Sequence, residues 1–239
     1  MFEHIAVFGA SGAIGNAIIQ SLASQNAKAE IHAFTRAAPP PSIPQITYRQ
    51  VDYLNEYALE QAAECVTLSN PLDLVVVATG ILHDEEHAPE KALKEITANN
   101  LQHIYIANTV IPALILKHFS PCLSKESRSV FAALSARVGS ISDNRLGGWY
   151  SYRCSKSALN MLIKTASIEV ARRNKQAILV GLHPGTVDST LSKPFQRNVP
   201  KDHLFTPEFS AEKLLQVLKN VSAKDTGLCF DYAGKEVTP

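Results

Sequence analysis

Two patterns of apolar residues alternate along the chain: short unbroken runs, and longer stretches with apolar positions three or four apart. The run Ile5 to Phe8 stops at Gly9, and Ile14 to Leu22 then carries helical spacing. Glu30 to Phe34 predicts a second strand ending at Thr35-Arg36. Pro39, Pro40, Pro41 and Pro44 follow, which forbids a helix there and predicts an extended surface loop. Ile46 to Val51 predicts a third strand and Leu54 to Cys65 a helix. Leu72 to Ala78 is apolar almost throughout, with three consecutive valines, the pattern of a strand buried on both faces of a parallel sheet.

Thr97 is placed to cap a long helix from Ala98 to about Phe119, with Pro112 predicting a kink or local break inside it. Ser129 to Leu134 predicts a fifth strand, Tyr150 to about Arg173 a helix, and Ala177 to Leu182 a sixth strand. Residues 192–205 contain two prolines and little periodicity, and are expected to form a flexible loop on the substrate side. Pro207 to about Val221 is the last predicted helix and Leu228 to Tyr232 the last strand. No repeat, linker or composition shift marks a boundary, so 1–239 is expected to be one domain. Strands alternating with helices predict an α/β fold: a doubly wound parallel sheet of about seven strands with helices on both faces.

Charge and cysteine usage narrow the function classes. Lys and Arg number 23 against 22 Asp and Glu, a net charge of +1 without runs of one sign, which disfavours nucleic acid or a membrane surface as partner. Nothing approaches the roughly 18 consecutive apolar residues of a membrane span. The N-terminus meets a glycine cluster where a signal peptide needs its apolar stretch. Cys65, Cys122, Cys154 and Cys229 lie far apart without metal-ligand spacing, as expected of reduced thiols in a cytoplasmic protein.

The first predicted strand runs directly into Gly9-Ala10-Ser11-Gly12-Ala13-Ile14-Gly15 and then a helix. Glycines at this spacing allow a sharp turn that brings backbone N–H groups close to a pyrophosphate, and the helix N-terminus adds partial positive charge. A plain glycine turn satisfies the same pattern. Placed between strand and helix at the start of a βαβ unit, it favours dinucleotide binding. An acid at the end of the second strand selects NAD(H) by bonding the ribose 2′-hydroxyl. Between Glu30 and Asp52 there is none, and Thr35-Arg36 occupies the strand end. A hydroxyl and a guanidinium suit a 2′-phosphate, so NADP(H) is expected in preference to NAD(H); an ordinary solvated arginine is the other reading.

Tyr152 and Lys156 lie four apart on a predicted helix and project from one face. A free phenol, with a pKa of about 10, is a poor proton carrier near neutrality. A neighbouring ammonium and a cationic nicotinamide favour its phenolate.

Together these residues resemble the short-chain dehydrogenase/reductase family. The resemblance runs through Gly9–Gly15, Asp52, Ala78-Thr79-Gly80, Asn108, Ser135, Tyr152/Lys156 and Pro184-Gly185. The segments Arg137-Val138-Gly139-Ser140-Ile141, Gly147-Gly148-Trp149-Tyr150 and His183-Pro184-Gly185-Thr186-Val187 are similar to its C-factor-like and sniffer-like carbonyl reductase branch. The resemblance implies a Rossmann-type fold and hydride transfer to a small carbonyl substrate. Tyr152 would be the proton donor. Lys156 would hold the nicotinamide ribose and lower the tyrosine pKa, and Ser135 would bond the substrate oxygen. Asn108, with Asn99 and Asn100 as competitors, would support a water-linked proton path. Asp52, with Val51 and Tyr53 beside it, would bind the adenine, although a helix-capping aspartate reads equally well. Ala78-Thr79-Gly80 would lie by the nicotinamide ribose, and Pro184, Gly185, Thr186 and Val187 would cover the nicotinamide. Ser189, or its neighbour Thr190, would meet the carboxamide. A homodimer or homotetramer through the two long helices is implied as well.

The chain departs from the family pattern at Ala13, where classical members carry glycine, and at Ala136, where relatives carry a second serine. Ser140 is therefore an alternative catalytic serine. His83, Asp84, Glu85, Glu86 and His87 cluster as metal ligands do, but read as a solvated loop, and no metal is expected. A non-enzymatic dinucleotide-binding signalling or sensor protein is the alternative function. A nucleotide-sugar epimerase or dehydratase needs a larger substrate domain than 239 residues allow.

Overall fold

The computed structural model describes residues 2–68 and 70–239. Seven strands form one parallel sheet: β1 (His4–Phe8), β2 (Glu30–Thr35), β3 (Ile46–Gln50), β4 (Leu74–Val77), β5 (Ser129–Leu134), β6 (Ala177–His183) and, at the far edge, β9 (Cys229–Asp231). Their order is β3-β2-β1-β4-β5-β6-β9, every neighbouring pair parallel. The sheet is the doubly wound one expected. A separate two-stranded pair joins β7 (Thr186–Val187) to β8 (Leu204–Phe205).

Period-two alternation assigns each strand's side chains to two layers. Ile5, Val7, Leu74 and Val76 face α1 (Ala13–Gln25) and α6 (Pro207–Asn220), where Ile18, Ile19, Leu214 and Leu218 meet them. Ala6, Phe8, Val75 and Val77 face the opposite layer. That layer holds α2 (Glu56–Thr67), α4 (Ile111–Phe119) and α5 (Tyr150–Val170), with Leu59, Ile115, Phe119, Leu159 and Ile163 in contact. The four residues of β4 are all buried, as a run of valines flanked by helices requires.

Several boundaries shift for identifiable reasons. α2 begins at Glu56 because the Asn55 carboxamide accepts from Ala58 N at 3.1 Å. The long helix expected over 98–119 is interrupted: α3 (Ala98–Tyr105) passes into a π-helical segment, Ile106–Val110, before α4. Pro112, which has no N–H to donate, sits in the first turn of α4 just beyond the widened turn. α5 stops at Val170, and the Asn174 carboxamide organises the turn into β6 by accepting from Gln176 N and Ala177 N. Residues 192–205 carry two short 3₁₀ turns, Lys193–Asn198 and Lys201–His203, followed by β8.

β1 lies between β2-β3 on one side and β4-β5-β6-β9 on the other, so strand order reverses at the β1/β4 boundary. In such sheets the crevice beyond the strand C-termini, at this reversal, is where ligands bind. Among the described residues, no helix is long and apolar enough to cross a membrane.

Candidate active site

The glycine turn closes at the C-terminal end of β1. Gly9 takes φ +80°, and a Cβ there would lie 2.8 Å from the Ala78 carbonyl oxygen. A Cβ on Gly15 would run into the Gly9 carbonyl, so both positions demand glycine. α1 starts with Gly12 as an N-cap that has no side-chain bond, and its first turn carries no acid. Ser11, Gly12 and Ala13 are exposed and Ile14 is half-buried, which leaves the N–H groups of the turn open to an anion.

Tyr53, expected beside an adenine, sits instead beneath this turn, 1% exposed. Its hydroxyl donates to Phe34 O at 2.7 Å and accepts from Gly9 N at 3.1 Å. Burial pushes that phenol up to about 12. Tyr53 therefore fixes the shape of the turn rather than lining its surface. Asp52 is exposed, and its Oδ1 accepts from Leu54 N at 3.0 Å, the turn-forming contact. Thr35 is buried, its hydroxyl 3.3 Å from Ser11 Oγ and accepting from Ala37 N at 3.2 Å. Arg36, next in sequence, is exposed.

The loop after β4 meets the catalytic candidates. A Cβ on Gly80 would lie 3.1 Å from Asn108 Oδ1 and 3.3 Å from Lys156 Nζ, so these three groups converge. Asn108, wholly buried in the π-helical segment, donates through Nδ2 to Ile81 O at 2.8 Å and to Ser155 Oγ at 3.1 Å. Its Oδ1 accepts from Ile81 N at 2.9 Å. The carboxamide thus clamps the Gly80–Ile81 backbone to α5. Its sequence competitors point elsewhere: Asn99 Nδ2 lies 3.1 Å from His87 Nε2, and Asn100 reaches Glu90. Thr79 Oγ1 is buried without a hydrogen-bond partner, while Ala78 N donates to Phe8 O at 2.9 Å.

Lys156 is buried on α5, and its Nζ donates to Leu134 O at 2.8 Å. The same Nζ stands 5.7 Å from the centroid of the Tyr152 ring. Burial lowers the lysine to about 8 and raises the Tyr152 phenol to about 12. The phenol's shift is the reverse of the lowering expected from the neighbouring ammonium, because loss of water around the hydroxyl outweighs a charge that makes no hydrogen bond to it. Ser135, at the end of β5, donates from Oγ to Asn160 Oδ1 at 2.6 Å. Ser140 is also buried, its Oγ accepting from Asp143 N at 3.1 Å and lying 3.4 Å from Pro239 O.

On the far side, Gly185 takes φ +78° and packs against Phe205 so closely that a Cβ would lie 2.6 Å from its ring. Pro184 O accepts from Ser210 Oγ at 2.9 Å, and Thr186–Val187 pair with Leu204–Phe205. Ser189 Oγ donates to Val187 O at 3.3 Å, whereas Thr190 is exposed.

Three aromatic rings from separate loops complete the crevice. Trp149 lies edge-on to Tyr152 at 6.3 Å and to Phe195 at 5.1 Å, and His83 packs edge-on to Phe195 at 5.5 Å. Phe195 lies in the 192–205 segment expected on the substrate side, but nothing in the sequence pairs it with Trp149 and His83. The acidic loop acquires His103 from α3: Asp84 Oδ1 lies 2.8 Å from His87 Nδ1, and its Oδ2 2.7 Å from His103 Nε2. The two imidazoles stack 4.1 Å apart and nearly parallel, so each satisfies a separate carboxylate oxygen.

The orphaned Thr79 hydroxyl, the glycine-only turn and the open N-terminus of α1 fit a dinucleotide laid across the β1/β4 crevice.

Comparison with known proteins points the same way. The chain is 25% identical to the benzil reductase ((S)-benzoin forming) of Bacillus subtilis, over 94% of its own length and 96% of the relative's. It is 29% identical to the C-signal of Myxococcus xanthus, over 61% of this chain and 82% of that one. The fold superposes on the NADPH-bound carbonyl reductase from chicken fatty liver with a TM-score of 0.84 at 24% identity, covering 100% of both chains. The carbonyl reductase Sniffer of D. melanogaster also gives 0.84, at 20% identity and 100% coverage of both chains. A family model described as short chain dehydrogenase matches residues 3–200. The chain therefore belongs to the short chain dehydrogenase family of NAD(P)-dependent oxidoreductases.

Proposed function

We propose that the protein is an NADPH-dependent reductase of small carbonyl compounds, with Tyr152 as proton donor. The observation that carries this reading is the convergence of Gly80, Asn108 and Lys156 at the crevice, with Tyr152 one helical turn from the lysine. In this reading the turn Gly9–Gly15 with Ser11, Gly12, Ala13 and Ile14 holds the pyrophosphate, and Ala78, Thr79, Gly80 and Lys156 hold the nicotinamide ribose. Pro184 to Val187 and Ser189 cover the nicotinamide, and Asp52 offers its outward oxygen to the adenine. Arg36, exposed at the end of a strand without an acid, takes the 2′-phosphate. The NADPH bound by the chicken enzyme supports the choice of cofactor.

When bound, the dinucleotide supplies hydride to the carbonyl carbon. The chain supplies the proton and the geometry. Burial keeps the phenol protonated, the form reduction starts from, and the positive charge of a bound oxidised nicotinamide would bring its pKa down towards the range in which that proton is given up. The phenol gives its proton to the carbonyl oxygen, and the Lys156 ammonium beside it stabilises the resulting phenolate. Ser135 exchanges its bond to Asn160 for one to the substrate oxygen. It is preferred to Ser140, whose hydroxyl is engaged by Asp143 and Pro239. Asn108 holds the Gly80–Ile81 backbone against α5 so that the lysine and the substrate-side loop keep their spacing. Trp149, Phe195 and His83 wall the crevice against water.

The test is NADPH oxidation against quinones, diketones, aldehydes and ketones, with Tyr152→Phe alongside. Turnover is expected with at least one class and a loss of about 100-fold or more in the variant. A Tyr152→Phe enzyme as fast as wild type overturns the reading. The likeness to the C-signal favours a second reading, a dinucleotide-binding signalling protein, which silence across the whole panel would support. We further propose a homodimer or homotetramer through α4 and α5, where Met161 and Ile168 stand exposed.

A further inference from the structure

Glu90 lies in the loop after β4, in a stretch where the sequence shows no periodic pattern, yet its side chain is 2% exposed. A buried carboxylate needs donors, and each of those found here is informative. Asn100 Nδ2 donates at 2.6 Å, Ser151 N at 3.1 Å, and Ser151 Oγ closes the set. The Glu90 main-chain oxygen accepts from Trp149 N at 2.5 Å. One residue of a distant loop thus holds both residues that bracket the start of α5. That helix has no side-chain cap of its own and no acid in its first turn. Trp149, at φ +53°, is the one non-glycine residue with positive φ among those described, a strained entry that needs restraint. The arrangement leaves Asn100 Oδ1 buried and unpartnered: the carboxylate dictates how that amide faces.

We infer that Glu90 is a positioning residue for the Tyr152 phenol, acting by capping the first turn of α5 from the rim loop. Tyr152 directly follows the capped Ser151, whereas Lys156 lies a full turn deeper, fastened to Leu134. Loss of the cap frees the tyrosine while the lysine and the glycine turn stay in place. The inference rests on the reductase reading, because its consequence is for proton delivery.

The test compares wild type with Glu90→Ala, Glu90→Gln and Ser151→Ala. Glu90→Ala is expected to lower kcat about 10- to 100-fold, the scale of a small misplacement, with KM for NADPH within about twofold. Glu90→Gln keeps an acceptor for Ser151 N, and its amide can pair with Asn100 Oδ1, so it restores most of kcat. Ser151→Ala, which removes only the hydroxyl bond, lowers kcat slightly and serves if Glu90→Ala does not fold. Hydrogen exchange at Ser151 and Tyr152 is expected to quicken in step with each loss of kcat. Unchanged kcat and exchange in Glu90→Ala overturn the inference, as does a glutamine variant no better than alanine, or a matching loss of NADPH affinity. Failure of the reductase reading appears separately, as a wild type without turnover; exchange at the first turn still reports the cap.

Discussion

The Nζ of Lys156 donates to the main-chain oxygen of Leu134 at 2.8 Å, tying the middle of α5 to the last residue of β5. The ammonium gains one strong acceptor in exchange for its water, and burial leaves it titrating at about 8 rather than 10.5. The neighbouring phenol moves the opposite way, to about 12. Near neutrality the pair is therefore ammonium and phenol, the protonation state for carbonyl reduction.

The pH dependence follows from those two values. The cationic form of Lys156 prevails below about 8 and is lost above it. The kcat/KM for NADPH, which reports the free enzyme, is expected to fall through an alkaline limb centred near pH 8. Tyr152, at about 12, contributes nothing to that limb. Lys156→Arg keeps its charge at every accessible pH, so whatever activity it retains is expected to lack the limb. A limb unchanged in that variant assigns it to another group.

The same lysine costs stability. Its folded-state value lies below the unfolded one, so the folded protein is penalised below about pH 8, and the penalty fades as pH rises towards 10.5. Lys156→Met is expected to be inactive yet more stable than wild type, by about 2–3 kcal/mol at pH 7. The difference should shrink at pH 10. Urea unfolding at the two pH values measures it.

Gly15→Ala places a methyl group against the Gly9 carbonyl, so either the turn opens or α1 moves. A loss of about 1–3 kcal/mol is expected from overpacking, together with loss of NADPH binding measured by nicotinamide fluorescence. Gly12→Ala is the control. Its Cβ would lie 3.3 Å from the same oxygen, close enough to be felt but not to block the turn.

Arg36→Ala is expected to raise KM for NADPH about 10-fold and leave NADH kinetics unchanged, because only the phosphorylated ribose engages the guanidinium. Equal effects on both dinucleotides would place Arg36 outside the cofactor site.

Much of the fold was legible in the sequence, for local reasons. The run Ser129–Leu134, five apolar residues after a serine, is a strand with the expected ends, because it is buried on both faces of the sheet. Pro112 marked a break, since a residue without an N–H disturbs any helix, but its form was not legible. The break is a π-helical segment lying N-terminal to the proline, and it carries Asn108 inward. Tyr53, expected beside the adenine, is buried beneath the glycine turn instead, because β2 and the residues after β3 close over it.

By itself the sequence determined the alternation of strands and helices, the glycine-only turn, the Tyr152/Lys156 spacing and the missing acid after β2. Each of these is set within a few residues by backbone sterics or helical period. Only the tertiary structure decided which groups meet. Glu90 finds Ser151 across 61 positions, Tyr53 finds Gly9 across 44, and Asn108 finds Ile81 across 27. Such pairs leave no periodic trace, because they form only after the sheet has brought distant loops to one edge. There, a buried polar group must take whatever partner the fold supplies.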